Sequence, residues 1–261
     1  MELTIYQVDA FATAPFEGNP AAVCPLTNWL DGALMQRIAM ENNLSETAFF
    51  VPTDSGYHIR WFTPAHEVDL CGHATLASAH VLFNHLGYEA QQIAFESRSG
   101  ILRVRQSGDG LEMDFPAQPP KSCPTPEAIV DAFADTPVEC LAAQDYIVVF
   151  ADEASVMRAQ PNMTQLKRLD LRGVAITAKS TQYDFVTRFF APKYGIDEDP
   201  VTGSAFTQLA PYWARRLNKL KMTAKQVSQR GGTVVCKSTP DRVLISGNAA
   251  TYLIGRIALK M

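Results

Sequence analysis

The sequence predicts an α+β fold that consists of two similar lobes produced by internal duplication. One stretch, "RWFTPAHEVDLCGHATLASAHVL" from Arg60 to Leu82, returns in altered form as "RFFAPKYGIDEDPVTGSAFTQLA" from Arg188 to Ala210. Each copy reads as a strand, a proline-containing loop, a glycine turn that opens a helix, and short alternating strands. One helix among several short strands in each copy is typical of α+β domains.

The spacing between matching residues indicates duplication followed by small insertions. Arg60 matches Arg188 at a distance of 128 positions, and Gly72 matches Gly203 at 131. This distance is much longer than the roughly 20–50 residues of a solenoid repeat, so we expect a doubled domain with the same order of strands and helices in both copies. Farther on the spacing settles at 132, where the matching pairs are Arg98 with Arg230, Gly100 with Gly232, Asp109 with Asp241, Leu111 with Val243 and Met113 with Ile245.

The elements of the first lobe follow from their residue patterns. "MELTIYQVDAF" alternates between apolar and polar residues as a strand does, and residues 31–42 form a helix. "ETAFFVP" and "HIRWF" read as strands, and Gly87 stands where a helix that begins near Gly72 would end. "ILRVRQSGDGLEMDF" reads as short strands around glycines. The first lobe is expected to span residues 1–116.

The second lobe follows a linker between Phe115 and Glu127 that contains five prolines. "YIVVFA" has the length of a buried strand, and "DFVTRFF" leads toward a helix with apolar residues at helical spacing. Strands in "TVVCKSTPDRVLISG" complete the copy. This lobe is expected to span 117–252, a C-terminal strand at 253–261 is assigned to the first lobe, and an active-site cleft is expected between the lobes.

Composition and charge exclude several classes of protein. The chain has 261 residues, of which 47% are apolar and 19% charged, as in ordinary globular proteins. A net charge of −4 gives no basic surface for nucleic acid. No apolar run approaches the ~20 residues of a membrane helix, and the N-terminus does not read as a signal peptide. We therefore expect a cytoplasmic protein without a nucleic-acid or membrane partner.

The cysteines and histidines show no metal-site pattern. The five cysteines, at positions 24, 71, 123, 140 and 236, are scattered without a CxxC pair and are interpreted as reduced thiols. The chain contains no HExxH motif, no Cys/His zinc pairing, no GxGxxG and no Walker loop. Neither a metal nor a cofactor is expected.

Two glycines mark helix starts that could bind an anion. Gly72 and Gly203 allow a ligand to approach the backbone closely, and the first N–H groups of a helix favour negative charge. The alternative is that both glycines merely permit tight helix starts. Because the motif occurs in both copies, the anion site is favoured, and the substrate is expected to carry a small carboxylate.

At two positions where the copies differ, the first copy has a reactive side chain and the second copy has a hydroxyl. His73 in the first copy lies opposite Ser204, and Cys71 lies opposite Thr202. His73 is either a catalyst or a structural hydrogen-bonding residue. Cys71 is either a nucleophile or base activated by the helix N-terminus, or a small buried apolar residue. The residues alone leave both alternatives open.

Two carboxylates also have a functional and a structural interpretation. Glu46 begins the apolar strand "ETAFFVP", where it is either an exposed charge at a strand end, which is the commoner case, or a partly buried general acid/base. Asp199 precedes Pro200, and an Asp-Pro pair is an ordinary N-cap and first residue of a helix.

Four motifs together resemble the PhzF family, the phenazine-biosynthesis isomerase and its relatives. They are "FxGNPAAVC" at 16–24, "LSETAF" at 44–49, the "RWFTPAHEVDLCGHATLASAHVL" stretch, and "EDPVTGSA" at 198–205. The resemblance spans essentially the whole chain. It implies a fold like that of diaminopimelate epimerase, in which each lobe is a curled sheet or barrel around a central helix and the site lies between the lobes.

The resemblance also implies roles for individual residues. Glu46 would be the general acid/base, while His73 and Asp199 would position or polarise the substrate. The family chemistry is proton transfer without a cofactor, in which a proton leaves one carbon and returns at another while a double bond moves. Family likeness further suggests a homodimer. The residues expected to bind the substrate, in part through its carboxylate, are Asn19, Ser45, Cys71, Gly72, Ala74, Gly203 and Ser204.

One difference between the copies bears on the mechanism. The epimerase relatives place a cysteine at each helix start, but the second copy here has Thr202, whose hydroxyl is far too weak an acid to replace a thiolate. The leading hypothesis is therefore a PhzF-like isomerase in which one carboxylate moves the proton. The alternatives are an amino-acid-type epimerase or racemase that uses Cys71 together with Glu46, and a binding protein that kept the cleft without turnover.

Overall fold

The computed structural model describes residues 1–108 and 110–259, and the chain divides into two compact units. Unit 1 comprises Met1–Asp114 together with Ser246–Met261, and unit 2 comprises Phe115–Ile245. Asp109, which the repeat pairs with Asp241, and the last two positions of the strand expected at 253–261 lie outside the described residues.

Unit 1 consists of short strands around two main helices that connect them. In chain order its elements are β1 (Glu2–Ala10), β2 (Asn19–Pro25), α1 (Gly32–Asn42), β3 (Glu46–Thr53), β4 (Gly56–Phe62), β5 (Glu67–Val68), α2 (Gly72–His85), β6 (Gln92–Ser97), β7 (Gly100–Ser107) and β8 (Gly110–Pro116). The helix expected at 31–42 begins where the Asp31 carboxylate caps the backbone N–H groups of Ala33 and Leu34. Gly87 follows α2 in the left-handed conformation, as predicted.

Unit 2 has more, shorter helices. Its elements are β9 (Lys121–Ser122), α3 (Glu127–Val130), β10 (Glu139–Ala142), β11 (Tyr146–Val149), α4 (Glu153–Arg158), α5 (Met163–Leu166), β12 (Val174–Lys179), β13 (Phe185–Ala191), β14 (Ile196–Asp199), α6 (Phe206–Leu217), β15 (Lys221–Gln226), β16 (Gly232–Ser238) and β17 (Arg242–Gly247). After β17 the chain returns to unit 1 as β18 (Ala249–Ala258). Over 1–108 and 110–259, no helix is long and apolar enough to cross a membrane.

The two units repeat one order of strand pairing. In unit 1, β2–β3 and β4–β6 are parallel, while β1–β2, β3–β4, β4–β5 and β6–β7 are antiparallel. In unit 2, β11–β12 and β13–β15 are parallel, while β10–β11, β12–β13, β13–β14 and β15–β16 are antiparallel. One more antiparallel strand is added to each set, β18 to β1 and β9 to β10. The predicted duplication is confirmed strand for strand, with α2 and α6 as matching helices.

Helix α2 is the central helix of unit 1. It is buried on almost every side and packs against β1, β2 and β3. A helix that is apolar all round belongs in a core, and the small side chains of Ala74, Ala77 and Ala79 let the strands approach it closely. Its counterpart α6 buries Leu209 and Trp213, which lie four residues apart on one face of the helix. Both helices therefore pack into the core of their own unit.

The arginine that opens each copy of the repeat makes the same ion pair in both units. Arg60 donates from Nε and Nη2 to the two carboxylate oxygens of Glu67 at 2.7 and 2.9 Å, and Arg188 donates to Glu198 at the same two distances. The hydrogen bond from Arg60 is the main reason that the pKa of Glu67 is lowered. Each guanidinium also lies over the phenylalanine ring two residues along its strand, at 5.2 and 5.1 Å. These pairs tie the strand to the loop that leads to each helix start.

Unit 1 is expected to lose stability in mild acid because of His80. This imidazole in α2 shares the Thr251 hydroxyl of β18 with His85, at 2.9 and 2.8 Å. Burial, assisted by the nearby His85, lowers the pKa of His80 from 6.5 to about 4. Between these values the unfolded chain binds more protons than the folded chain, so stability is complete above pH 6.5 and falls as the pH drops toward 4.

The loss attributable to His80 should be about 2 kcal/mol after allowance for solvent screening. Urea unfolding at about pH 7.5 and about pH 4.5 measures it. His80→Gln keeps a hydrogen-bonding side chain but does not titrate, so its stability should change less between the two conditions than that of the wild type. His66→Gln replaces an exposed imidazole and serves as the control. An equal pH dependence in His80→Gln and the wild type would contradict the assignment.

Candidate active site

Glu46 is a largely buried carboxylate at the first position of β3. Strand β3 runs parallel to β2, and Ala21 of β2 is the register partner of Glu46. The side chain of Glu46 is only 13% exposed. The exposed strand-end interpretation, which the sequence alone favoured, is therefore wrong, because a neighbouring parallel strand and the start of α2 cover this end of β3.

His73, in the first turn of α2, faces this carboxylate. Its Nε2 lies 3.1 Å from Oε2 of Glu46, and its side chain is 8% exposed. The two atoms are an ion pair by distance, yet neither has a hydrogen bond of good direction. A short, buried and poorly aligned contact is typical of catalytic groups whose hydrogen bonds tighten around a reacting substrate.

Cys71 contacts the same imidazole. Its Sγ is 3.6 Å from Nδ1 of His73 and within 4.8 Å of a carboxylate oxygen of Glu46, so thiol, imidazole and carboxylate form one compact cluster. Burial, together with the charge of Glu46, raises the pKa of the Cys71 thiol, which is therefore protonated at neutral pH. Burial alone would lower the pKa of His73, but the adjacent Cys71 and Glu46 outweigh it and raise that pKa well above 6.5.

Glu46, Cys71 and His73 bring three possible metal-ligand groups close together. One donor atom from each of Glu46, Cys71 and His73 lies within 4.8 Å of the others, and carboxylate, thiolate and imidazole are all zinc ligands. However, Cys71 faces Nδ1 and Glu46 faces Nε2 of the same ring. The absence of a bound metal therefore stays a prediction from the sequence.

Asn19 and Ser45 lie at the starts of the two parallel strands that carry the carboxylate. Ser45 donates from Oγ to Oδ1 of Asn19 at 3.0 Å, and Asn19 is fully buried. This hydrogen bond joins the first residue of β2 to the residue that precedes Glu46. The structure thus brings together five of the predicted site residues in unit 1: Asn19, Ser45, Glu46, Cys71 and His73. It places the predicted anion-binding turn, with Gly72 and Ala74, directly beside His73.

The start of α2 has the properties required of an anion site. Cys71 is the N-cap residue, and its side chain makes no capping hydrogen bond. The helical hydrogen bonds begin with Thr75, whose N–H donates to the Cys71 carbonyl at 3.2 Å. The backbone N–H groups of Gly72 and His73 therefore lack partners within the helix and point out of its positive end.

Asp199 belongs to unit 2, and it is not a helix cap. The helical segment begins with a 3-10 turn at Gly203–Ala205 that continues into α6, and its N-cap is Thr202. The N-cap interpretation of Asp199 is wrong because β14 extends through it and three residues separate it from the turn. Its Oδ2 instead accepts a hydrogen bond from Oγ1 of Thr202 at 2.5 Å. Ser204 lies half-buried in the 3-10 turn.

Gln226 is a residue near Asp199 that the sequence interpretation missed. This fully buried amide donates from Nε2 to the Asp199 carbonyl at 2.6 Å and accepts from the Thr202 N–H at 2.9 Å. Ser228 adds a hydrogen bond to the Pro200 carbonyl at 2.7 Å. The alternation of buried and exposed residues in β15 could have revealed it, since the inward positions are Met222, Ala224 and Gln226. A polar side chain at an inward position needs buried hydrogen-bonding partners, which marks Gln226 as a structural or functional residue.

Sequence comparison places the chain in a family that includes proteins named as isomerases. The sequence profile of the family described as phenazine biosynthesis-like protein, PhzC-PhzF, matches residues 8–255. A protein of Pseudomonas aeruginosa named as an uncharacterized isomerase is 54% identical over 259 residues, which cover 99% of this chain and 100% of that protein.

Structural comparison agrees. The crystal structure of a PhzF-family phenazine biosynthesis protein from Enterococcus faecalis has a TM-score of 0.97 at 45% identity, covering 99% of this chain and 100% of that chain. A hydroxyproline epimerase from Agrobacterium vitis has a TM-score of 0.64 at 9% identity, covering 99% and 93% of the two chains, which shows a shared fold. The predicted diaminopimelate epimerase-like fold is confirmed.

Proposed function

Because this chain belongs to the PhzF family of isomerases, we propose that it moves a proton, and with it a double bond, on a small carboxylate-bearing metabolite. The observation that carries the proposal is the buried Glu46 carboxylate 3.1 Å from the His73 imidazole, at the foot of a helix N-terminus. A carboxylate in such a position can accept a proton and hold it away from water until it is returned.

The proposed reaction balances with Glu46 alone. Its carboxylate takes a proton from one substrate carbon, and the electron pair of the broken C–H bond enters a conjugated system of double bonds. The resulting carboxylic acid then delivers the same proton to another carbon of that system, which leaves Glu46 ionised again and the double bond displaced. These two proton transfers require no electron acceptor and no group carrier, so the proposal includes no cofactor.

The start of α2 supports binding of the substrate carboxylate. The N–H groups of Gly72 and His73 are the first of a 14-residue helix, and a helix N-terminus attracts anions through those groups and its dipole. A carboxylate held there would place its neighbouring carbons close to Glu46 and His73. Charge that develops on the substrate during proton removal would then be stabilised by the His73 imidazole.

Asp199 and Ser204 remain predicted substrate contacts. Support for Asp199 comes from its fixed position, since Thr202 holds its carboxylate and Gln226 holds its backbone carbonyl. Ser204 lies in the turn that starts the second central helix, where Gly203 and Ser204 offer the same kind of N–H groups as Gly72 and His73.

A two-thiol epimerase is disfavoured by the same geometry. The residue at the second helix start is Thr202, and its hydroxyl already donates to Asp199 at 2.5 Å. Cys71 is held as a neutral thiol by burial and by Glu46, so it is a poor base at neutral pH. One carboxylate with a positioned imidazole fits these residues better than two opposed sulfur bases.

A ligand screen by thermal shift tests the proposal across a whole class of candidate substrates. Small unsaturated carboxylic acids and their uncharged amides are added singly, and the melting temperature of the protein is recorded. A ligand at ~100 times its Kd stabilises by about 2.7 kcal/mol, which is readily detected. Each hit is then incubated with enzyme in D₂O, and deuterium uptake and double-bond position are followed by NMR. We expect hits to contain a carboxylate and at least one to exchange. Exchange confined to the amides, or hits that bind but never exchange, would contradict the proposal.

A further inference from the structure

The N-cap residues of the two central helices have a property in common, which is that neither side chain caps its helix. Cys71 and Thr202 make no side-chain hydrogen bond to the N–H groups of the first turn. Cys71 Sγ instead lies 3.6 Å from Nδ1 of His73, and Thr202 Oγ1 donates to Asp199. Both side chains therefore contact neighbouring side chains rather than the N–H groups of their own helix.

We propose that Cys71 is a positioning residue that acts through His73, and that it holds the ring with Nε2 toward Glu46. An imidazole can turn over about its bond to Cβ, which exchanges the places of nitrogen and carbon atoms in the ring. Among the described residues, Cys71 is the hydrogen-bonding partner of Nδ1. A partner at one ring nitrogen decides both the orientation of the ring and the place of its proton.

When the His73 imidazolium gives up a proton, the thiol also selects which nitrogen of the neutral ring keeps the other proton. A neutral Cys71 has one S–H donor, and Nδ1 accepts it only when the ring proton sits on Nε2. The proton is then on Nε2, the nitrogen that lies 3.1 Å from Oε2 of Glu46. With the proton on Nδ1 instead, the lone pair of Nε2 would face the carboxylate oxygen, and the two would repel each other.

The kinetic consequence follows from this arrangement and rests on the proposed function. Loss of Cys71 is expected to cost about 10–100-fold in activity, the range found when a partner that orients a metal-ligating histidine is removed. The loss should appear in kcat rather than in KM, since the substrate carboxylate is held by backbone N–H groups that do not change. Cys71→Ser keeps an O–H donor at the same place and should recover much of the activity that Cys71→Ala loses.

The test that does not rest on turnover is NMR of the full chain labelled with ¹⁵N-histidine. Two-bond ¹H–¹⁵N spectra report which ring nitrogen carries the proton, and His73→Gln identifies the signals of His73. At a pH above the titration of His73, the wild type and Cys71→Ser should show a single form protonated at Nε2. Cys71→Ala should show a mixture with the form protonated at Nδ1. Cys24→Ala, which removes a fully buried thiol of the same unit, should resemble the wild type.

Two results would overturn the inference. One is a wild-type His73 ring protonated at Nδ1. This measurement needs no variant, so its result does not depend on whether a variant folds. The other is an unchanged tautomer in a folded Cys71→Ala. A different result would contradict the proposed function, namely full activity in Glu46→Gln. In that event the tautomer result would still stand as a structural property of Cys71 and His73.

Discussion

Glu46→Gln is expected to abolish proton exchange while leaving ligand binding nearly intact. Glutamine has almost the shape of glutamate and keeps a hydrogen-bonding group beside His73, but it is not able to take up and return a proton. General acid/base groups contribute about 10²–10⁴-fold to a reaction rate, and the loss should fall on kcat. The measurement is deuterium uptake from D₂O into a ligand found by the thermal screen, with affinity taken from the dependence of melting temperature on ligand concentration.

The matched control for this variant is Glu41→Gln. Glu41 is an exposed carboxylate in α1 of the same unit, so its replacement makes the same change of charge without touching the site. It should exchange substrate protons at the wild-type rate. If Glu46→Gln also exchanges at the wild-type rate, Glu46 is not the base, and His73 becomes the residue to test next.

Gly18→Ala is expected to destabilise unit 1 strongly, although it adds only one methyl group. Gly18 has φ of +64°, and a Cβ atom on it would lie 2.1 Å from the carbonyl oxygen of Ala10. The backbone oxygen of a paired strand does not move aside, because Ala10 pairs with Asn19 across β1 and β2. Strain of a left-handed residue and overpacking each cost about 1–3 kcal/mol, so a loss of about 3 kcal/mol or more is expected.

Gly87→Ala separates the two contributions to that loss. Gly87 has nearly the same conformation, with φ of +68°, but nothing lies within 4 Å of the place of its Cβ. It should lose only about 1 kcal/mol, from the left-handed conformation alone. Urea unfolding of both variants measures the difference. Similar losses in the two variants would show that strands β1 and β2 relax around the added methyl group. A folded Gly18→Ala should also lose activity, since Asn19, the partner of Ser45, is the next residue.

Much of the fold could be predicted because it depends on patterns that are local or repeated. Residues 31–42 form a helix because Asp31 caps their first turn, and an aspartate before an apolar-periodic segment is a signal within a few residues. The duplication could be recognised because the two copies kept the residues that every strand-loop-helix unit needs. Arg60 with Glu67 and Arg188 with Glu198 show why the arginines recur: each fastens its strand to the loop before a helix.

The site was predictable in its residue types and not in its contacts. That Glu46, His73 and Asp199 were candidates followed from their motifs. That Glu46 is buried depends on β2 and α2, elements that lie far from it in the sequence, and no local pattern reports which neighbours will cover a strand end. The same holds for Asp199, which an Asp-Pro pair marks as a helix cap although β14 runs through it.

The sequence by itself determined the doubled α+β architecture, the helix starts at Gly72 and Gly203, and the chemical groups available there. Only the tertiary structure decided that the His73 ring contacts both Cys71 and Glu46, and that Gln226 forms hydrogen bonds with both ends of the segment from Asp199 to Thr202. The physical reason is that a hydrogen bond or an ion pair requires its atoms to meet within about 3–4 Å. For residues separated by tens of positions, that distance is set by the packing of whole strands and helices.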